Sequence, residues 1–403
     1  MSESFHAGAA AAAEPAGPAD GSEDAALFRL HAPLRRLEAT GRLAALPAGP
    51  AATLGERARA FFAAPRPGPA LLVGALPFDP RHDDALYQPA RLSAGPAPSA
   101  PAARPAFAGD AVAEPAAGDY AAAVARCVER LREAAGPSPL RKVVLARSLR
   151  LQARAEVDPR TLAARLGEDA SVTTYVAPLP VAAGEAPAWL VGATPELLVS
   201  RRGEAVASHP LAGSARRCAD AGEDARAAEA LLASAKDHDE HRYVVEAILD
   251  ALAPLCRQLQ APARPSLHAT ATMWHLGTRI AGTLKDPAVS AAALAGLLHP
   301  TPAVCGTPRL PALEAIRALE PVDRGFYAGA VGWTDAAGDG DWYVSIRCAR
   351  VQARAMRLFA GAGIVAGSQP ALEVDETAAK FMALLNALGL DDVRAARPDR
   401  GVE

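Results

Sequence analysis

Tyr327-Ala-Gly-Ala-Val-Gly-Trp-Thr334 and Trp342-Tyr-Val-Ser-Ile-Arg-Cys-Ala-Arg350 flank a turn at Gly338-Asp-Gly340. Both runs are rich in Val, Ile, Tyr and Trp and are bounded by turn residues, so they read as two strands. Met356 to Ala360 adds a third. Upstream, Lys142 to Ala146, Val172 to Val176, Trp189 to Ala193 and Leu197 to Ser200 read the same way. Helical spacing appears elsewhere. Tyr120, Val124, Cys127, Val128 and Leu131 recur on one face before Gly136-Pro137. Glu223 to Leu232 and Asp237 to Leu252 form a pair of helices, the second with Val244, Val245, Ile248, Leu249 and Leu252 on its apolar face. A last helix runs from Glu373 to Leu388, with Ala379, Phe381, Met382, Leu384 and Leu385 apolar. Strands in blocks and helices in blocks predict an α+β fold with much antiparallel sheet, not a regular βαβ repeat.

The chain has 403 residues. At roughly 150 residues per domain this allows two or three domains, and one large sheet also reaches this size. Hydrophobic residues make up 50%, enough for a large core. Lys plus Arg is 42 and Asp plus Glu is 45, a net charge of -3 that offers no broad basic footprint for nucleic acid. No apolar run free of charge reaches the ~18 residues of a membrane span. The first basic residue is Arg29, so no secretory signal is expected. Cys127, Cys218, Cys256, Cys305 and Cys348 are odd in number, widely spaced and without Cys-x-x-Cys. They read as reduced thiols of a cytoplasmic protein.

Residues 1–24 are rich in Ala, Gly, Pro and Ser and read as a disordered tail. Residues 25–118 follow, with a Pro-rich stretch at 89–118 that fits either a linker or a surface excursion. Residues 119–390 are dense in regular signals, and 391–403 read as a C-terminal tail. No internal repeat is present.

Three groups of residues could carry chemistry. Asp237 and Glu240 stand three apart on one helix, and Glu373 and Glu376 stand three apart on another. Each spacing puts two carboxylates on one helix face. Two such faces could hold a hard cation such as Mg²⁺, or could simply be solvated acidic faces. Gly361-Ala-Gly363, after the Met356–Ala360 strand, would let backbone amides approach an anion, or would mark a strand bulge. Lys142, Arg347 and Lys380 are single cations in apolar surroundings. They could be structural, or could join the acidic pairs in a site for a metal and an anionic ligand. A lysine desolvated there can act as a base. His275, after Trp274 on a strand, fits a core histidine as well as a site residue.

These elements occur in one order. Lys142-Val-Val-Leu-Ala-Arg147, Gly192-Ala-Thr-Pro-Glu196, Pro210-Leu-Ala-Gly-Ser-Ala-Arg-Arg217 and Lys236-Asp-His-Asp-Glu-His241 come first. Trp274-His-Leu276, His299-Pro-Thr-Pro302, Gly340-Asp-Trp-Tyr-Val-Ser-Ile-Arg347, Gly361-Ala-Gly-Ile-Val365 and Glu373-x-x-Glu376-x-x-x-Lys380 follow. The series resembles the chorismate-utilising enzymes over residues 119–390, and within them the isochorismate synthases of siderophore and menaquinone type. No motif within 1–118 carries the resemblance.

The resemblance implies one large domain of antiparallel sheets flanked by helices, with the site in a deep cleft. The N-terminal third would then add strands to that domain, which favours a surface excursion at 89–118. It implies chorismate as the ligand and Mg²⁺ as the cofactor. Lys142 would be the base that activates water for attack at C2, and Glu196 the acid for the departing C4 hydroxyl. Glu240 and Glu376 would bind the metal directly, with Asp237 and Glu373 holding its water. Arg347 would bind the enolpyruvyl carboxylate with Tyr327 and the amides near Gly361 and Gly363. Lys380 would reach the metal-bound carboxylate. Ala212, Gly213 and Ser214 would line the C4 side and His275 the ring face.

Within the family, Lys142 and Pro210-Leu-Ala-Gly213 disfavour the amine-adding members, so no glutaminase subunit is expected. A monomer is. Salicylate synthases share Lys142 and Glu196 and go on to eliminate pyruvate. Tyr327 and Val304 lean towards them, whereas the Gly213-Ser214 pair leans towards the synthases. A non-catalytic chorismate-binding paralogue is disfavoured because every acid, base and metal position carries a competent residue.

Overall fold

The structure is a computed structural model and describes residues 27–33, 35–93, 104–136 and 139–390. The two tails expected at 1–24 and 391–403 lie outside the described residues, as does 94–103 of the Pro-rich stretch.

A sheet of 17 strands and a second of three strands carry the described chain, and the helices pack against them. The pairings run antiparallel, as expected for strands that follow one another without crossover helices. The longest ladder joins Lys142–Gln152 to Ala355–Ile364, from Gln152↔Ala355 to Val143↔Ile364. Strands from the first third enter the same sheet, with Arg29 opposite Val176 and Leu76 opposite Ala330. Val112–Glu114, within the Pro-rich stretch, pairs with Ser148 to Arg150. The small sheet orders Leu211–Arg216, Met273–Gly277 and Ser266–Ala269.

Two helices set the site. Ala235–Leu252 starts at Ser234, whose hydroxyl accepts from the Asp237 amide. It buries Val244, Ile248 and Leu252 in the main core. Pro370–Leu388 has Pro at its first position and ends on Gly389 at φ 75, a left-handed cap that glycine adopts without strain. Phe381, Leu384, Leu385 and Leu388 bury against Leu149 and Leu358 of the long ladder. Asp237 and Glu373 sit in the first turns of these helices and Glu240 and Glu376 in the second, and Glu240 meets the ladder at Gly363 and Lys142.

Three expected boundaries are corrected. The strand expected from Tyr327 starts at Ala330, and the strand expected over Trp342 to Arg350 is two strands, Gly340–Val344 and Cys348–Gln352. Ala328 at φ 60 and Arg347 at φ 50 occupy the breaks. A regular pleat would send alternate side chains to opposite faces. The breaks let both Tyr327 and Arg347 line the same cavity. The third correction concerns Gly361 and Gly363. They do not follow a strand ending at Ala360 but lie inside Ala355–Ile364, opposite Ala146 and Val144. A Cβ on Gly363 would fall 2.2 Å from Glu240 Oε1, and one on Gly361 would fall 2.9 Å from the Tyr327 hydroxyl. These glycines exist because side chains cross the strand there.

Candidate active site

Lys142 opens the first strand of the long ladder and is 0% exposed. Its Nζ lies 3.0 Å from Glu240 Oε1 but makes no hydrogen bond of proper geometry. A buried ammonium left in that state is costly. Gly363 Cα stands beside it, since an added Cβ would come within 3.0 Å of Lys142 Cε. Glycine thus leaves space in front of the amine.

Glu196 follows the strand Ala188–Thr194 and is 3% exposed. Burial raises its pKa to about 8, against the opposing pull of Lys142, the Leu211 amide and Arg347. It is therefore a protonated carboxylic acid at neutral pH, able to donate.

The acidic pairs come together, and both carboxylates of the second pair carry a lysine. Lys236 Nζ bonds Glu373 Oε1 at 2.9 Å, and Lys380 Nζ lies 2.6 Å from Glu376 Oε1. Ser214 Oγ donates to the same Glu376 oxygen at 3.1 Å. Burial, reinforced by Glu376, pushes Glu373 up to about 7. Burial raises Asp237 as well, with Glu240 and Glu376 adding to it. Burial would raise Glu376, but Lys380, Lys236 and Ser214 together outweigh it and hold the carboxyl below the ordinary range. Gly213, at φ +75, allows close approach of Asp237, whose Cβ would lie 3.0 Å from an added Cβ.

Arg347 is buried, and its Nη2 lies 3.4 Å from His275 Nε2. Burial and Arg347 depress the His275 pKa, so the imidazole is a neutral ring. Tyr327 stacks on Phe359 with centroids 4.9 Å apart. Lys380 also donates to the Gly361 carbonyl at 2.9 Å, which ties the last helix to the ladder.

These groups surround one cavity of about 580 Å³. Glu196, Ala212, Gly213, Ser214, Glu240, His275, Tyr327, Arg347, Gly361, Gly363 and Lys380 all line it. Lys142, Asp237 and Glu376 lie behind that wall, Lys142 against Glu240 and Gly363, Asp237 against Gly213 and Glu376 against Ser214, while Glu373 is held by Lys236. Sequence reasoning missed Lys236, the partner of Glu373, although it opens a quoted motif. It also missed Arg324, which donates to the Val144 and Val304 carbonyls and pairs with Glu320. Glu320 in turn accepts from the Ala146 amide at 2.7 Å. No periodic pattern marks this buried pair, which holds two cavity walls from behind. Several motif residues prove structural. Arg217 grips Asp224 through Nε at 2.9 Å and lies over the Trp274 ring. His241 bonds Thr278, and His299 Nε2 donates to the Pro77 carbonyl.

Among the described residues, no three His, Cys, Asp or Glu side chains form a ready metal cage. Mg²⁺ does not need one, since it keeps several waters and takes one or two carboxylates plus ligand oxygens. Two buried and two half-buried carboxylates, Asp237 and Glu373 among them raised by burial and by repulsion, are a donor set whose excess negative charge a divalent cation would relieve. The residues fit such an ion.

The family profile described as chorismate binding enzyme matches residues 87–389. The chain is 46% identical over 331 residues to isochorismate synthase DhbC of Bacillus subtilis (strain 168), covering 80% of this chain and 82% of that protein. It is 48% identical over 339 residues to the putative isochorismate synthase MenF of Mycobacterium tuberculosis (strain CDC 1551 / Oshkosh), covering 83% and 90%. The crystal structure of a putative 2,3-dihydroxybenzoate-specific isochorismate synthase, DhbC from Bacillus anthracis, superposes with a TM-score of 0.84 at 41% identity, over 92% of this chain and 98% of that one.

Proposed function

The chain belongs to the chorismate binding enzymes, and we propose that it is an Mg²⁺-dependent isochorismate synthase of the siderophore or menaquinone type. The observation that carries this reading is a fully buried lysine without hydrogen bonds, set directly behind Glu240 and Gly363 of the cavity wall, together with a buried, protonated glutamate on that wall.

Chorismate carries two carboxylates and a C4 hydroxyl. Arg347 and Tyr327 take the enolpyruvyl carboxylate, and neutral His275 faces the ring. Glu240 and Glu376 would hold Mg²⁺, with Asp237 and Glu373 around its waters. When bound, the cation supplies charge neutralisation for the ring carboxylate. Lys142 removes a proton from water as its oxygen bonds C2. The ring double bonds shift, the C4–O bond breaks, and Glu196 gives its proton to the departing hydroxyl, which leaves as water. Arg347 and Lys380 hold the anion still while this happens. Pro210-Leu-Ala-Gly213 places no lysine on the C4 side, and the enzyme works without a glutaminase subunit. A cytoplasmic setting suits the five free cysteines. Among the described residues no helix is long and apolar enough to cross a membrane.

Product analysis tests the reading. Chromatography of a neutral reaction with Mg²⁺ and no added lyase should show isochorismate in equilibrium with chorismate. Ser214 is engaged by Glu376 and leaves the C4 side unconstrained, so release precedes pyruvate elimination. Tyr327 and Val304 line the cavity and allow a trace of salicylate. Near-complete conversion to salicylate and pyruvate would assign the chain to the salicylate synthases instead.

The raised Glu196 pKa also predicts a pH dependence. A carboxylic acid with pKa about 8 is present as the donor below that pH and is lost above it. Turnover should therefore fall about tenfold per pH unit beyond the bend. A flat profile to pH 10, with the fold intact by circular dichroism, would remove Glu196 as the acid.

A further inference from the structure

A second cavity, of about 810 Å³, adjoins the catalytic one, and Pro195 and Arg347 line both. Its outer walls come from three places: Arg165 in the last turn of the helix Pro159–Leu166 with Asp169 after it, the Thr270-Ala271-Thr272 turn, and Ala383 and Ala387 on the closing helix. The turn joins Ser266–Ala269 to Met273–Gly277, the strand that carries His275 into the catalytic cavity. It is tied from two sides. The Ala271 amide donates to Asp169 Oδ2 at 2.7 Å, and Arg217 Nη1 donates to the Thr270 carbonyl at 3.0 Å. The other Asp169 oxygen accepts from the Ser171 amide at 3.0 Å and its hydroxyl at 2.5 Å.

We propose that this second cavity is the vestibule through which the dicarboxylate reaches the catalytic cavity, with the Asp169–Ala271 hydrogen bond holding its rim. The proposal rests on the inner cavity being the chorismate site. That cavity is closed in by buried side chains, with Glu196 3%, His275 6% and Arg347 9% exposed. A dianion needs a polar path to it, because crossing apolar surface would strip its hydration without return. The second cavity offers guanidinium groups at its outer wall, Arg165, and at its shared wall, Arg347. Its two acidic neighbours, Glu168 and Asp169, are outnumbered by Arg104, Arg165 and Arg347, and Asp169 is already occupied by three donors, which lowers the repulsion that an incoming anion meets. Alanines at 383 and 387 keep the space between open.

The test fills the vestibule without touching the inner site. Ala383→Trp and Ala387→Trp are half-buried positions on a long helix, one turn apart. Each is placed in a Lys142→Ala background, so that chorismate binds without turning over. Stopped-flow fluorescence gives the association and dissociation rates, calorimetry the Kd, and thermal melting shows that the fold persists. A blocked passage slows both rates at least tenfold and leaves Kd within about twofold, because a route affects barriers and not end states. An unchanged association rate in both folded variants would overturn the proposal. A weakened Kd at an unchanged association rate would overturn it too, by placing these alanines in the inner site. If neither the wild-type chain nor Lys142→Ala binds chorismate, the inner-site reading fails and the vestibule falls with it.

Discussion

Lys142→Ala should abolish isochorismate formation while leaving chorismate bound. General base catalysis contributes roughly 10²–10⁴-fold. The loss in kcat should therefore reach about 10³-fold or more, which is about 4 kcal/mol at 1.36 kcal/mol per decade. Binding survives because the carboxylate anchors are elsewhere, at Arg347, Tyr327 and Lys380. The variant also leaves Glu240 without the amine 3.0 Å away, and a buried carboxylate without a partner destabilises the fold. Lys142→Gln is the control, since it fills the space behind Gly363 and offers an amide to Glu240 while lacking a base. Both variants should be inactive, and Lys142→Gln should melt closer to wild type. Near-normal isochorismate formation by the glutamine variant, measured by chromatography, would show that another group activates the water.

Glu376→Gln should cost roughly two to three orders of magnitude in turnover, the range set by losing several kcal/mol of charge stabilisation at a metal site. The change removes one negative charge and keeps the shape. Lys380 at 2.6 Å and Ser214 at 3.1 Å then face an amide. The site loses the charge of a carboxyl held below the ordinary range, while Glu373 is pushed up to about 7. Calorimetry should show Mg²⁺ binding weakened at least tenfold, and chelator should silence the wild-type enzyme. Full activity in excess chelator would end the metal reading. Unchanged Mg²⁺ affinity in Glu376→Gln would move the direct ligand elsewhere.

Much of this site was legible before any coordinates. The i,i+3 spacing of Asp237 with Glu240 and of Glu373 with Glu376 is a local property of helices, and both helices formed. Lys142 at the head of an apolar strand was visible as a charge where none was needed. Other features were invisible. Nothing in the chain near Glu320 or Arg324 announces that this pair holds the walls at Val144 and Val304. Lys236 sits in a charged motif whose pattern cannot say which carboxylate it meets.

Local order determined the antiparallel strand blocks, the helices and the two acidic faces, since alternation and helical period need only neighbouring residues. The tertiary structure alone decided three further things. It set which lysine meets which carboxylate. It broke the expected strands at Ala328 and Arg347 and ran the last one through Gly361 and Gly363. It turned Glu196 into an acid at neutral pH. Each depends on burial and on partners far away in the chain, such as Leu211 beside Glu196 or Glu240 beside Gly363. A carboxyl group's proton affinity follows from the water that folding removes and the charges it brings near, and neither is a property of its own stretch of sequence.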